Sequence, residues 1–288
     1  MIVGAPKSGT TSLKSYLGQH AGMFAHPQRE FIYFANDEEY SRGYERAWQL
    51  YFEGARTDCA VAAKSVAMMY SPTAMHRLRE HNPAVQVVLV LRDPVSRAYS
   101  EYAYARRRGR ETDVSFEDAV RRCLEADDMD PLRPGAYLVR GRYAQFLESI
   151  FALFPPAQVT VVPFEVFAEN PASACQTLYR KLGRLDANFA PTYIRRENPA
   201  AGVWSQFLLR LTSDRRRLRG LRRSLQPFVS ERNRQRIKSA LHRLNDRSIA
   251  PPAMCEQTRR QLAEYYAPWN RRLTDALGTG FEHWNSPR

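Results

Sequence analysis

At 288 residues the chain is long enough to bury a large core, and it reads most simply as a single domain over residues 1–288. Its 44% apolar and 25% charged content excludes a disordered or fibrous protein, and apolar runs such as Val87–Leu91 are far too short to cross a bilayer. The net charge is +13, and four scattered cysteines without a C-x-x-C pair argue against a zinc site or a disulfide framework. Buried free thiols in a reducing compartment are expected. The apolar start is three residues long and runs straight into a loop, unlike a signal peptide, so a cytoplasmic location is the expectation.

In chain order, Ile2–Val3 is a short strand signal that reaches Gly4, then a turn, Lys7-Ser8-Gly9-Thr10-Thr11-Ser12, then a helical pattern over Thr11–His20. A strand, a small-residue loop and a helix start form a cradle for an anion, with backbone N–H groups and the helix dipole aimed at it. Gly4 and Gly9 have Walker A spacing, but Thr10 stands where the Walker lysine belongs, and the basic residue is Lys7 inside the turn. Further strands are predicted at Ala60–Ala63, Val85–Leu91 and Val159–Pro163. Helical patterns at Pro72–His81, Pro94–Arg108, Phe116–Glu125, Tyr143–Phe154 and Pro171–Leu182 separate or follow them. This alternation predicts an α/β fold, a P-loop-like central parallel β-sheet flanked by helices, with ligands at the carboxyl ends of the strands.

Asp186–Ala201 lacks periodicity and reads as a long loop. Between Arg210 and Arg247 stand 13 Lys/Arg against 3 Asp/Glu, with leucines at helical intervals. Residues 202–250 are therefore expected to form an arginine-rich helical insertion in the C-terminal region. A solvated helical face is the plainest reading of that charge. An anionic substrate or peripheral contact with an acidic membrane leaflet follows, and nucleic acid ranks last because no recognised module accompanies the charge. A final helical run, Cys255–Leu277, ends near Trp284.

A second anion motif follows the central strand. In Arg92-Asp93-Pro94-Val95-Ser96-Arg97-Ala98-Tyr99-Ser100, Asp93 and Pro94 are an N-cap and first-turn pair, so a helix begins at the strand's carboxyl end. Arg92 sits at the turn, and Ser96 and Ser100 lie one helical turn apart. An arginine and a hydroxyl there suit a phosphate monoester. Two clamps at the ends of two parallel strands imply a ligand with two separate anionic groups.

These residues carry a resemblance. Lys7-Ser-Gly-Thr-Thr-Ser12 resembles the 5′-phosphosulfate loop of sulfotransferases, and Arg92 to Ser100 resembles their 3′-phosphate motif. Arg29-Glu30-Phe31-Ile-Tyr33-Phe34 is similar to the Lys-Glu-x-x-Phe-Phe segment of the heparan-sulfate type and its bacterial relatives. Ala63-Lys64-Ser65 is similar to their Glu-Lys-Ser/Thr segment, with alanine replacing the glutamate. Gly141-Arg-Tyr143, Pro163-Phe-Glu165 and the ending from Leu262 to Trp284 follow the same pattern, so the resemblance covers nearly the whole chain.

The resemblance implies a sulfotransferase that moves the sulfuryl group of 3′-phosphoadenosine-5′-phosphosulfate (PAPS) to a hydroxyl, or less favourably an amine, of a glycan, lipid-linked or natural-product acceptor. It implies Lys7 as stabiliser of the leaving group, with Ser8, Gly9, Thr10, Thr11 and Ser12 donating to the 5′-phosphate and Arg92 and Ser100 holding the 3′-phosphate. Glu30 is the implied general base, where an apolar pocket with Phe31, Tyr33 and Phe34 favours proton uptake; His26 is the competitor. Lys64 is a second active-site cation. The family's late Lys-Gly-Arg loop is missing, and Arg195, Arg196 and Asn198 are the candidates to replace it. The residues form no metal-ligand pattern, and two lysines supply positive charge without one. The rival readings are a P-loop kinase or NTPase, and a non-catalytic polyanion- or membrane-binding module.

Overall fold

The computed structural model describes residues 1–111, 115–126, 129–183, 185–192, 254–278 and 281–285. The predicted basic insertion and Arg195, Arg196 and Asn198 lie outside the described residues. Five short parallel strands form the centre: β1 (Ile2–Gly4), β2 (Met23–Ala25), β3 (Ala60–Ala62), β4 (Val87–Leu91) and β5 (Val159–Pro163). β1, β4 and β5 make one sheet and β2 and β3 a second. An isolated parallel bridge between Ile2 and Lys64 joins the two, with Ile2 N–H donating to Ala63 O at 2.8 Å and Ser65 N–H to Ile2 O at 2.9 Å. The spatial order is therefore β2-β3-β1-β4-β5, and the chain reverses its direction of travel across the sheet between β1 and β4. In open α/β sheets that switch point is where the crevice for a ligand opens.

Alternate residues of β4 explain why all five are buried. Val87, Leu89 and Leu91 pack on one face with Val3, Leu78 and Leu147. Val88 and Val90 pack on the other with Ile2, Leu13 and Leu178. Helices cover both faces, so the strand reads as a continuous apolar run rather than an alternating one. On the first face lie α3 (Tyr44–Phe52), α4 (Pro72–His81) and α7 (Tyr143–Leu153); on the second lie α1 (Thr10–Leu17) and α9 (Pro171–Leu182). Local signals set the helix ends. Ser71 and Asn170 accept from Ala74 N–H and Ser173 N–H as N-caps, each followed by proline, and Gly183 closes α9 at φ +67°.

A third cluster joins α5 (Pro94–Arg107), α6 (Phe116–Glu125) and α10 (Glu256–Leu277) through Tyr102, Phe116, Val120, Leu262 and Tyr266. Tyr266 Oη donates to Leu138 O at 2.8 Å, which ties the C-terminal helix to the rest. Arg97, with no solvent exposure, bonds Glu101 and donates to Tyr137 O, while Glu101 also pairs with Arg140. Removing one member of such a buried pair leaves an uncompensated charge and costs about 3–5 kcal/mol.

Several expectations are corrected. β2 was not expected, because three residues are too few for a periodic signal, nor were α2 (Asp37–Ser41) and α3, because charged residues interrupt the apolar pattern between Asp37 and Phe52. α1 stops at Leu17 because Gly18 follows, short of His20. Of the cysteines only Cys123 and Cys175 are buried; Cys59 is half-buried, and Cys255 lies exposed before α10.

Candidate functional site

The loop between β1 and α1 sits at the switch point. Gly9 precedes α1 at φ +78°, and a Cβ there would lie 3.0 Å from Phe167 Cε1 and 3.1 Å from Phe164 Cε2, so only glycine suits this close passage. Lys7 holds φ +67°, a left-handed conformation that side chains other than glycine rarely adopt. No side chain caps α1 among the described residues, and its first turn has no acidic residue. The orphan N–H groups and the positive end of the dipole are thus left for an external anion. Ser8 is wholly buried and its Oγ has no hydrogen-bond partner; Thr10 and Ser12 are buried and Thr11 half-buried in the first turn. The donor set predicted from the sequence is therefore assembled in one turn.

The turn after β4 is built differently. Asp93 caps α5, accepting from Val95 N–H at 3.3 Å, Ser96 N–H at 3.0 Å and Ser96 Oγ at 2.6 Å. The helix start is already satisfied, and Ser96 is committed to it. The remaining residues of the predicted motif, Arg92 and, two turns on, Ser100, are both half-buried. Arg92 Nη1 donates to Lys7 O at 3.3 Å, and its guanidinium lies 4.9 Å from the centroid of the Phe164 ring. The side chain that closes the second clamp also braces the first. Tyr143 Oη donates to Arg92 O at 2.8 Å and Asp93 N–H to Glu165 Oε1 at 3.1 Å, so the Gly141-Arg-Tyr143 and Pro163-Phe-Glu165 segments frame this turn.

Lys7 has its pKa lowered to about 8, first by burial and then by Arg107, Arg29 and Arg92, against an opposing pull from Glu101. Its Nζ lies 4.2 Å from the centroid of the Tyr104 ring. Burial also lowers the pKa of Arg92.

Beyond the loop, Lys64 and Glu30 form an ion pair in which Lys64 is 1% exposed and Glu30 28%. Glu30 Oε2 also accepts from Val66 N–H at 3.1 Å, and Phe31 N–H donates to Lys64 O at 2.7 Å. Burial lowers the pKa of Lys64, opposed by Glu30. Glu30 is thus a carboxylate fixed by two donors, where the sequence pointed to one set among aromatic rings. Phe31, Tyr33 and Phe34 are core residues.

His26, the competing base, is 1% exposed and enclosed by Phe31, Tyr51 and Phe52; neither ring nitrogen has a partner. Its pKa falls to about 4, mainly through burial, with Lys14 and Lys64 adding to the effect. A neutral ring sealed among aromatics has no path to an acceptor.

Lys14 was missed. It lies on the buried side of α1, and its Nζ donates to His26 O at 2.8 Å and Gln28 O at 2.5 Å. Its pKa drops to about 8 through burial and the neighbouring Lys64. The available signal was a lysine between Leu13 and Tyr16 on an apolar helix face. Of the tyrosines on α5, Tyr102 is core, while Tyr99 and Tyr104 are half-buried. Among the described residues no His, Cys, Asp and Glu cluster could hold a metal ion.

The sulfotransferase domain model matches residues 1–189. The bifunctional heparan sulfate N-deacetylase/N-sulfotransferase 1 of Xenopus laevis is 27% identical over 220 residues, which cover 72% of this chain and 24% of that protein. The human bifunctional heparan sulfate N-deacetylase/N-sulfotransferase 2 is 28% identical over 195 residues, 64% of this chain and 22% of that protein. The chain thus spans only about a quarter of the length of these curated relatives. A sulfotransferase from Alicyclobacillus acidocaldarius has the same fold, with a TM-score of 0.67 at 24% identity over 99% of this chain and 97% of its own. With a family match spanning about two thirds of its length and the two predicted turns at the switch point of a parallel sheet, the chain belongs to the sulfotransferase domain family.

Proposed function

We propose that the chain transfers a sulfuryl group from PAPS to a hydroxyl or amine of a glycan or natural-product acceptor. The observation that carries this reading is the pairing of two unlike anion sites: the uncapped start of α1 with Lys7, and Arg92 with Ser100 beside α5, joined by the Arg92–Lys7 hydrogen bond. A nucleotide with phosphate at both ends matches such a pair. The unpartnered Ser8 Oγ and the acid-free first turn of α1 fit an oxyanion on the 5′ side. The relatives named above act on heparan sulfate, which supports a glycan acceptor.

As second substrate, PAPS supplies a sulfuryl group on a phosphate that leaves readily. The reaction forms a bond from sulfur to the acceptor atom and breaks the bond from sulfur to the bridging oxygen. Lys7 neutralises the charge that grows on that oxygen, and Glu30 takes the acceptor's proton. Lys64 and Val66 N–H hold the Glu30 carboxylate in place for it. Positioning and fixed charge are the main sources of rate in such loose in-line displacements. Peripheral membrane contact through Arg210–Arg247 belongs to this proposal only as a second role of that segment.

Thermal shift tests the reading. Adenosine 3′,5′-bisphosphate with EDTA present is expected to raise the melting temperature, as any ligand selective for the folded state does. A response to Mg-ATP alone would return the chain to the kinase reading.

A further inference from the structure

We propose that Arg29 and Arg108, set around the ring of Tyr104, form a subsite for an oxyanion carried by the acceptor: a carboxylate, sulfate ester or phosphate ester. The assignment rests on the sulfotransferase reading above. Four cations converge on this one ring: Lys7 Nζ at 4.2 Å from its centroid, and the guanidinium carbons of Arg108 at 5.3 Å and of Arg29 and Arg107 at 5.5 Å. They come from three separate segments. The negative end of the α5 dipole accounts for arginines at its last turn, but not for Arg29 or Lys7.

The ring quadrupole attracts each cation, yet it does not cancel the repulsion among Lys7, Arg29 and Arg108. The neighbouring carboxylates are committed elsewhere. Glu101 is divided between Arg97 and Arg140, and Glu30 between Lys64 and Val66 N–H. Among the described residues no carboxylate lies within ion-pair reach of Arg29 or Arg108, and both side chains are exposed. The cluster has an excess of positive charge, open to solvent, with two planar guanidinium forks able to grip an oxyanion in bidentate fashion.

Its location assigns it to the acceptor. Arg108 lies eight residues beyond Ser100, roughly 12 Å along the helix axis at 1.5 Å per residue. Arg29 immediately precedes Glu30. The subsite therefore extends toward the proposed base, with Tyr104 one helical turn and Arg108 about two turns beyond Ser100. An acceptor held there presents its nucleophile beside Glu30 while its own charged group rests on Arg29 and Arg108.

The test is titration calorimetry on the chain saturated with adenosine 3′,5′-bisphosphate, which keeps the donor site filled. Three probes are used: inorganic sulfate, a uronic-acid oligosaccharide, and its carboxyl-reduced neutral counterpart. The acidic oligosaccharide is expected to bind at least about tenfold more tightly than the neutral one, the scale of a charge-assisted contact. In R29Q/R108Q that difference should vanish while bisphosphate affinity stays unchanged. Y104F should keep it, because the ring remains.

Equal binding of the two oligosaccharides, or binding of neither, overturns the subsite. Sulfate binding without that discrimination makes the cluster a site for free anions only and likewise overturns it. A loss of bisphosphate affinity in R29Q/R108Q would transfer the cluster to the donor. If the unaltered chain fails to bind bisphosphate at all, it is the sulfotransferase reading that falls.

Discussion

The starts of α1 and α5 stand side by side at the carboxyl ends of adjacent strands, yet they treat charge in opposite ways. α1 has no capping side chain and no acidic residue in its first turn; α5 is closed by Asp93 through three hydrogen bonds. A helix start that is left open costs stability, and its persistence beside a well-capped neighbour supports the proposal that it takes a ligand. The same contrast assigns tasks. In the proposed reading, backbone N–H groups and Lys7 serve the anion at α1, whereas at α5 the task is left to side chains, Arg92 and Ser100.

The largest expected effect comes from Lys7→Ala. Turnover with PAPS should fall about 10²- to 10³-fold, the scale of losing one group aimed at developing charge. Bisphosphate affinity should change far less, and an equal loss in both would reduce Lys7 to a binding residue. Arg92→Ala comes next. It should weaken adenosine 3′,5′-bisphosphate by about 10- to 100-fold, as expected for charge-assisted bonds, and weaken adenosine 5′-monophosphate far less, by no more than the lost brace on Lys7 O. Equal losses for the two nucleotides would dissolve the division of labour between the cradles.

A mirrored pair of variants sharpens the contrast further. Asp93→Ala should cost about 1 kcal/mol, lowering the melting temperature by about 2–4 °C. Thr11→Asp should instead raise the stability of the ligand-free chain by about 0.3–1 kcal/mol, by complementing the α1 dipole, and abolish the thermal shift with bisphosphate. If Thr11→Asp still binds the nucleotide, the open helix start is not its site.

The smallest effect is in pH. Lys7 and Lys14 both have folded-state pKa values of about 8, below their ordinary 10.5. Between pH 8 and 10.5 the unfolded chain therefore binds more protons than the folded one, and the contribution of these lysines to stability rises with pH. Bisphosphate affinity should move the other way, declining as Lys7 loses its proton above about pH 8. Urea midpoints and calorimetry across that window check the two signs.

The backbone of both turns was legible because its signals are local. A glycine at positive φ, an Asp-Pro pair and a buried β-branched run each dictate backbone within a few residues. The pairing of Lys64 with Glu30 was not legible, since 34 positions separate them and it takes the β2–β3 pairing and the Phe31 N–H to Lys64 O bond to bring their segments together. Lys14 was hidden for a related reason. A lysine on an apolar helix face becomes intelligible only when the carbonyls of His26 and Gln28 arrive to solvate it. Tyr104 could be singled out from Tyr102 only by seeing which ring faces Lys7 and which packs on Phe116. His26 stood close enough in sequence to act as the base, and packing removed it from contention.

One seam in the sheet has a practical consequence. The halves of the sheet meet through a single bridge, and the residue on its far side, Lys64, is the one that grips Glu30. Backbone continuity and a wall of the proposed active site therefore share one point of attachment. Amide hydrogens of Ile2 and Ser65, which bond across that seam, become natural reporters. Their exchange should slow when the site fills and quicken when Glu30 is removed, giving a readout of occupancy that requires no turnover and no knowledge of the acceptor.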